Sequence, residues 1–410
     1  MSPILSLKLG IINLNSPKFS ETGFVFTVKT DNTGTSNDDQ FTLPLNSIFD
    51  TGSGTTAEVD WGDGSSDTIT ASNQSEITHT YASAGTYTIK ITNELRGWRF
   101  DDSGDKLKFL NISNWGVFEH ATFRAFSGCE NLTLTATDAP TFVISGSPST
   151  NRADSFFRNC HQVNGPVNQW DISGIVNLGG FFNTASLFNQ PLDNWDVSSV
   201  TSFDQIFRNA DSFNQDISSW SINTSSSVNM QNMFLNNAAF NTSIDDWNVS
   251  EVTDMNQMFR GSVYNQPLNS WDVSKVTNMK SMFSFPSSGV GGNFNQPLSN
   301  WNVGNVTNME TMFKKNTAFN QDISSWNIVK VSNATNFMQN VTTFSTANYD
   351  ALLIGWEATL QSAHSGGSGY TLTPSWHFGS AQYTDGGAAA TARASLISNF
   401  NWSITDGGTA

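Results

Sequence analysis

The chain is poor in charge, in histidine and in cysteine. Only 13% of its 410 residues are charged, and 19 basic against 35 acidic residues leave a net charge of −16. A surface of that sign repels phosphate, and no run of lysine and arginine interrupts it, so we expect no nucleic-acid partner. The two cysteines, Cys129 and Cys160, are too few for a disulfide framework or a cysteine-rich metal site.

Long apolar runs are also missing. No stretch reaches the length of a membrane span, and we expect no membrane insertion. The first residues, MSPILSLKLGIINLNSP, lack a basic region followed by an uninterrupted apolar one, so we expect no signal peptide. Low charge with abundant Asn, Ser, Thr and Gly is typical of proteins that work outside the cell. We therefore predict a virion, extracellular or cell-surface location.

Recognisable catalytic motifs are absent from the sequence. It contains no G-x-S-x-G, no H-E-x-x-H, no P-loop and no dinucleotide-binding fingerprint. The acidic pair Asp245 and Asp246 falls at a repeat corner, where turn chemistry explains it. We predict a protein that is not an enzyme, with no catalytic residue, no metal ligand and no cofactor apart from the calcium question below.

Residues 21–97 show the pattern of a small β-domain. The segment GFVFTVKT places Phe24, Phe26 and Val28 on one face of a strand, and Gly- and Asp-rich turns separate it from similar strands. Alternation with a period of two and frequent turns predict an antiparallel Ig-like β-sandwich.

The segments VDWGDGSSDT and THTYASAGTYTIKIT resemble those of PKD-type (polycystic-kidney-disease) domains. This resemblance implies an Ig-like sandwich used as a spacer or adhesion module. Asp60 and Asp63 in the first segment could bind Ca²⁺, although Asp-Gly is also the ordinary chemistry of a tight turn.

A repeated sequence motif fills most of the remaining chain. Six copies of F-N-x-x-L-x-x-W-x-V, 24 to 30 residues apart, carry Trp at the same place, and each is followed by a cluster such as Met309, Met312 and Phe313. L-x-x-W-x-V is typical of a strand, and Met-x-x-Met-Phe is typical of one side of a helix. The six tryptophans are Trp195, Trp220, Trp247, Trp271, Trp301 and Trp326.

Strand, turn, helix and return would then form each repeat. Thr201, Thr253, Thr277 and Thr307 precede the expected helices as N-caps, and Thr307 with Glu310 matches a capping box. We predict an α/β leucine-rich-repeat-like solenoid over residues 98–345, with about nine coils that bury one another's apolar faces. Residues 346–410, with a helix at 388–397, are expected to cap it.

WDVSKVTNMKSMF, together with the F-N-Q that begins several repeats, resembles the BspA-like leucine-rich-repeat surface proteins. Members of that family lie on bacterial cell surfaces and in phage-encoded tail proteins, but we expect this chain, unlike the cell-surface members, to have no leader and no anchor sequence. The resemblance implies an adhesin: a phage tail or receptor-binding component that recognises a host-surface glycan or protein. The alternatives are a virion decoration protein without a receptor of its own and a bacterial cell-surface adhesin.

Partner contacts and binding sites are expected in a few places. Residues 1–20 form an N-terminal arm that could bind other virion proteins, and homo-oligomers are possible. Tryptophan and the Asn after each Phe could bind ligands, but core packing and backbone hydrogen bonds explain them more simply. The residue between Trp and Val should face outward and could bind a glycan. These outward residues are Asp196, Ser221, Asn248, Asp272, Asn302 and Asn327.

The repetition is interrupted at residues 283–293 and 362–383, and such loops commonly carry binding sites. Cys129 and Cys160 fall at like positions of neighbouring coils, where a buried thiol pair or a disulfide would fit. The binding candidates of the second loop are Tyr370, Trp376, His377 and Phe378.

Overall fold

The computed structural model describes residues 23–51, 56–121, 123–144, 151–286 and 291–410. The predicted arm at residues 1–20 lies outside the described residues. The short 3-10 helices are Phe49–Thr51, Ser75–Ile77, Lys106–Lys108 and Ser365–Gly367. The strands are β1 (Phe24–Lys29), β2 (Gln40–Thr42), β3 (Ala57–Asp60), β4 (Ser66–Ile69), β5 (Thr78–Thr80), β6 (Thr86–Asn93), β7 (Phe109–Asn114), β8 (Glu119–His120), β9 (Thr133–Leu134), β10 (Thr141–Phe142), β11 (Val228–Asn229), β12 (Val252–Asp254), β13 (Ser375–His377) and β14 (Ser403–Thr405), and the α-helices are α1 (Thr346–Ala363) and α2 (Ala388–Ser398).

The N-terminal sheet follows the predicted alternation. Its strand order is β4-β3-β6-β1-β7-β9, and β2 pairs with β5 in a separate antiparallel sheet. In β1, Phe24, Phe26 and Val28 are fully buried, and the residues between them are half-buried. The apolar face packs on Trp98, whose ring lies 5.3 Å from that of Phe24. The interior of an Ig-like domain is therefore built as the sequence indicates.

This sheet continues into the repeats. Strand β7 pairs antiparallel with β1, and the short β9 then pairs in parallel with β7. Buried Asp105 reinforces the junction, because its carboxylate accepts the backbone N–H groups of Thr35, Ser36 and Thr42 at 2.8–3.0 Å. Lys108, also buried, donates to the carbonyl oxygens of Ser36, Asn37 and Gln40 on the same loop. The first repeats thus share hydrogen bonds and core with the β-domain.

The α/β leucine-rich-repeat solenoid predicted for residues 98–345 is wrong. Both α-helices that the structure describes lie in the C-terminal segment, and the described part of the repeats consists of turns, short strands and isolated bridges. The W-x-V positions do not form strands in the described part of the repeats. Neighbouring repeats instead meet at single parallel bridges, for example Asn278 with Asn308 and Asn308 with Asn333.

The segment 255–259 shows why no helix forms. Gln257, between the two methionines, has a φ of 55°, which is left-handed and turns its N–H away from the preceding residues. That N–H donates to the carbonyl of Lys280 in the next repeat at 2.8 Å, and Phe259 N–H donates to Met282 at 3.0 Å. An α-helix needs these donors for bonds within the segment, so a spacing of three and four here arises from linked turns.

Besides a second left-handed residue four positions later in most repeats, a left-handed residue recurs at the position of Gln257 in nine successive repeats, with φ between 55° and 64°. In eight of them the N–H donates to a carbonyl of the following repeat at 2.7–3.0 Å. Most of the nine residues are glycine or have a short or unbranched side chain, which the left-handed conformation tolerates best. The nine residues are Arg124, Ser155, Gly180, Gln205, Asn232, Gln257, Ser281, Thr311 and Asn336.

The expected N-cap threonines have another role. Thr277 Oγ1 donates to the carbonyl of Thr253 at 3.3 Å, and Thr307 Oγ1 donates to the carbonyl of Thr277 at 3.2 Å. The capping box of Thr307 and Glu310 does not form; the Glu310 N–H instead donates to the Asn308 side chain at 3.0 Å. The hydroxyls therefore add a hydrogen bond between repeats.

Tryptophan is core, as predicted. Each of the six indoles of the repeat motif is at most 3% exposed, and its Nε1–H donates to the carbonyl of the aliphatic residue one repeat earlier at 2.8–3.0 Å. Trp356, inside α1, makes the same bond to Ile323 and carries the column into the C-terminal segment. Each indole therefore fills the core and satisfies a buried carbonyl.

The Asn after the first aromatic residue of each repeat forms the ladder that the sequence indicates, and Asn164, which follows Val163, extends it by one repeat. Its Oδ1 accepts the backbone N–H of the corresponding residue one repeat later at 2.8–3.0 Å. In several repeats a Gln side chain reaches the same oxygen, as Gln321 reaches Asn295 at 2.9 Å. The accepting residues are Asn164, Asn189, Asn214, Asn241, Asn265, Asn295 and Asn320.

The C-terminal segment covers the last repeat. Helix α1 packs on α2, which begins at the predicted position, and β13 pairs in parallel with β14. Trp356, Trp376 and Trp402 are buried between these elements, with the rings of Trp356 and Trp376 4.8 Å apart. The segment therefore closes the apolar end of the column with its own core.

Replacing Gln257 by glycine should leave the protein equally stable or stabilise it by up to about 1 kcal/mol, because glycine relieves a left-handed backbone. In a helix interior the same change would cost about 0.5–1 kcal/mol. Gln257→Val should destabilise by about 1–2 kcal/mol. Urea unfolding measures the free energy of unfolding of both variants. Ala358→Gly in α1 is the helical control, which should lose about 1 kcal/mol. A loss for Gln257→Gly equal to that of the control would contradict the turn.

Removing one step of the Asn ladder should weaken the column. Asn265→Ala leaves the Asn295 N–H without its acceptor, and we expect a loss of about 1–3 kcal/mol in the free energy of unfolding. Asn302→Ala is the matched control, since among the described residues its side chain bonds only to the Gly304 N–H of its own turn, and its loss should stay below about 0.5 kcal/mol. Equal losses would show that the ladder adds no stability.

Candidate functional site

The predicted outward row is exposed in all six repeats. Five of its members, Asn327 among them, lie in an Asx turn, where the side-chain oxygen accepts the backbone N–H two residues later: for Asp196 and Asp272 the distance is 3.0 Å. Asn248 and Asn302 repeat this bond at 3.1 and 3.2 Å. The row is therefore fixed in place, but one oxygen of each of these side chains is already used by the fold.

Ser221 and Asn248, two members of this row, lie beside a wider groove. This repeat has three more residues between Trp220 and Val228 than the other repeats have at that place. The groove beside them has a volume of 640 Å³, and its lining is mostly serine, threonine and Asn. Nothing charged lines it except Asp246. It offers hydrogen bonds but little to select a ligand.

The aromatic candidates of the second loop are mainly core. Trp376 and Phe378 have no exposed surface, and Tyr370 is 8% exposed. Trp376 packs against the cap tryptophans because it lies in β13, which closes the column, so neither it nor Phe378 can contact a ligand in this arrangement. His377 is half-buried; its Nδ1 accepts the N–H of Gly379, and burial lowers its pKa.

At the PKD-type turn, both carboxylates accept protein donors. Asp60 Oδ1 accepts the Gly62 N–H at 2.9 Å, and Asp63 accepts the N–H of Ser65 and lies 2.9 Å from His79 Nε2. The Ser65 hydroxyl and His79 lower the pKa of Asp63 to about 2. This is the turn chemistry considered for the segment, and no three acidic, His or Cys side chains gather as a metal site within the described residues.

Cys129 and Cys160 are free thiols, and both are buried. Cys160 Sγ donates to the carbonyl of Phe126 at 3.1 Å. Burial in the apolar core raises the pKa of each thiol well above its usual value. The buried-thiol alternative, rather than the disulfide, describes the pair.

A second polar site lies where one repeat lacks two side chains. Gly179 and Gly180 occupy positions that hold Asp154 and Ser155 in the preceding repeat and Asp204 and Gln205 in the following one. Without these side chains a cleft of 360 Å³ opens across the turn face. We call it the glycine cleft.

Arginines form one side of the glycine cleft. Arg124, Arg152 and Arg158 line it, although the chain as a whole is acidic. The guanidinium carbons of Arg124 and Arg152 each lie 5.6 Å from the ring centroid of Phe123. Arg99 covers the same ring at 4.1 Å. A ring shared by three cations holds the guanidinium groups at one end of the cleft.

The opposite side is acidic and rich in amides. Asp204 lines it with Gln205, Asn177 and Asn183. Gln205 Oε1 accepts from Asn183 Nδ2 at 3.2 Å and from Arg208 at 2.9 Å, so the amide groups are held by one another. The cleft therefore places cationic donors against neutral and anionic acceptors in a small volume.

The sequence does contain a signal for this site, at a place where one repeat departs from the others. NLGGFF at 177–182 stands in register with NMKSMF at 278–283, and its two glycines replace the outward pair of residues. The arginines are spread from residue 99 to 158, so only the stacking of repeats gathers them. The absence of a basic run in the sequence therefore did not exclude a local basic site.

Comparison with protein families gives one match in the N-terminal part of the chain and another in the repeats. The PKD domain family matches residues 26–95. The family described as Mycoplasma protein of unknown function, DUF285, matches residues 151–262, 221–289 and 291–354. No curated protein and no solved structure matches the chain.

These matches define how far the resemblance extends. The PKD match agrees with the predicted Ig-like domain, and the second family is consistent with BspA-like surface proteins without specifying one. Both are consistent with a surface or binding protein. Among the described helices none is long and apolar enough to cross a membrane.

The buried thiols should resist modification. Because each thiol is protonated and inaccessible in the folded chain, we expect no reaction of Cys129 or Cys160 with a thiol reagent at mildly alkaline pH. Both should react once guanidinium unfolds the protein, as a thiol count by absorbance shows. Reaction of either one at the same rate in the folded and unfolded protein would contradict the core position.

Proposed function

We propose that this chain is a non-enzymatic binding protein that acts at a surface outside the cell. The observation that carries the proposal is the fixed outward row: Asx turns and inter-repeat ladders hold polar side chains at regular places on a stacked scaffold. A ligand that binds such a surface pays little for ordering it. The PKD domain, which shares a sheet with the first repeats, would serve as the spacer.

The strongly shifted titratable groups support a role without catalysis. Burial lowers the pKa of His120 to about 3 and raises the pKa of Tyr264 and Tyr349, and all three lie in the interior. Catalytic groups with shifted pKa values commonly line a cleft that substrate can enter. We therefore propose no substrate turnover, no cofactor and no nucleic-acid partner.

More specifically, we propose that the protein is a phage tail or receptor-binding component that recognises a host-surface glycan or protein. The low charge of the chain and the phage-encoded members of the resembling family support this form. A decoration protein of the particle and a bacterial adhesin use the same architecture and are the alternatives. Contacts with other virion proteins and self-association belong to this proposal as well.

Binding of the full chain to cells tests the proposal. Fluorescently labelled protein should bind intact cells of at least one strain in a bacterial panel, and excess unlabelled protein should abolish that signal. Stable incorporation into particles without any cell binding would leave decoration as the function and contradict recognition. Release of reducing sugar from cell-surface polysaccharide would contradict the non-enzymatic role.

A further inference from the structure

We infer that the glycine cleft binds a sugar residue that carries a carboxylate. The inference rests on the proposed binding function and names the ligand class of one site within it. The cleft is distinct from the predicted outward row, because it lies on the left-handed turns rather than on the W-x-V positions. Its lining, its size and its charge each limit the ligand.

The size of the cleft suits a small polar group. Its 360 Å³ falls at the lower end of the range of small-molecule sites, which is about 300–1,000 Å³. The floor is backbone at Gly179 and Gly180, and an added side-chain carbon at Gly180 would come within 3.1 Å of the Ser155 hydroxyl. The missing side chains therefore allow a ligand to approach the main chain of this repeat alone.

The arginines select an anion. Arg152 donates to Asp154 through Nε at 2.7 Å, and its two terminal nitrogens have no partner within the described part of the chain. Arg124 donates to Asp101 through one terminal nitrogen, while its buried Nε has no partner among the described residues. A planar guanidinium with two adjacent free donors matches a carboxylate in a bidentate pair.

The acceptors select hydroxyl groups beside that anion. Asp154 and Asp204 line the cleft and would repel a doubly charged phosphate, whereas they accept hydrogen bonds from hydroxyls. Asn177, Asn183 and Gln205 add amide groups of fixed orientation. One carboxylate together with several hydroxyls describes an acidic sugar better than inorganic phosphate or the single carboxylate of a peptide side chain.

Titration calorimetry with a galacturonic acid trisaccharide tests the inference on the full chain. We expect binding that weakens as salt is added, since the charge pair is partly exposed, and no binding of the neutral galactose trisaccharide. Arg152→Gln should weaken binding about tenfold or more, as loss of a charge-assisted pair does. Gly180→Asn should weaken it similarly by filling the cleft, and it suits the left-handed backbone because Asn232 and Asn336 have that conformation.

Lys275→Gln is the matched control for charge, because Lys275 is exposed and pairs with Glu251 away from the cleft. It should leave the affinity unchanged, and unchanged unfolding curves should show that both cleft variants fold. Equal binding of the neutral sugar, stronger binding of phosphate or a glutamate peptide, or full affinity of Gly180→Asn would overturn the inference. So would no binding of the acidic trisaccharide. Cell binding that survives Gly180→Asn overturns the cleft assignment but leaves the proposed function standing.

Discussion

The hydrogen bond from a left-handed residue to the next repeat is the interaction on which the rest of the structure depends. It turns an N–H such as that of Gln257 along the axis of stacking, beside further donors of the same repeat such as the N–H groups of Met255 and Phe259. The Trp column, the Asn ladder and the threonine hydroxyls can then meet their partners one repeat away. Without that turn, the same residues would form separate helices with no fixed register between repeats.

Much of the core could be predicted from the sequence, because apolar residues recur in phase with Trp and the Asn recurs at a corner. The helix could not be distinguished from linked turns, since both produce the Met-x-x-Met-Phe spacing. Composition at the left-handed position would have helped: Gly180, Asn232 and Asn336 suit that conformation and are poor in a helix interior. Hydrophobic periodicity reports which residues are buried, not which atoms their backbone bonds to.

The candidate sites show the same limit. The alternation of Asp196 and Asp272 with Trp and Val predicts that both aspartates are exposed, and both are exposed in the structure. Burial of Trp376 could not be foreseen, because its partners in the cap come from helices and strands distant in sequence. The glycine cleft likewise depends on arginines of different repeats, which only stacking brings together. Sites within one repeat are therefore easier to predict than sites between repeats.

Hydrogen exchange with single-residue resolution tests the central claim most directly. The left-handed N–H groups, from that of Arg124 to that of Thr311, lie in turns, where an unbonded N–H exchanges quickly. If each donates to the next repeat, all eight should be protected to a similar degree, comparable with that of the buried strand β1. Rapid exchange at Gln205, Gln257 and Thr311, with slow exchange of the methionine N–H groups beside them, would contradict the account.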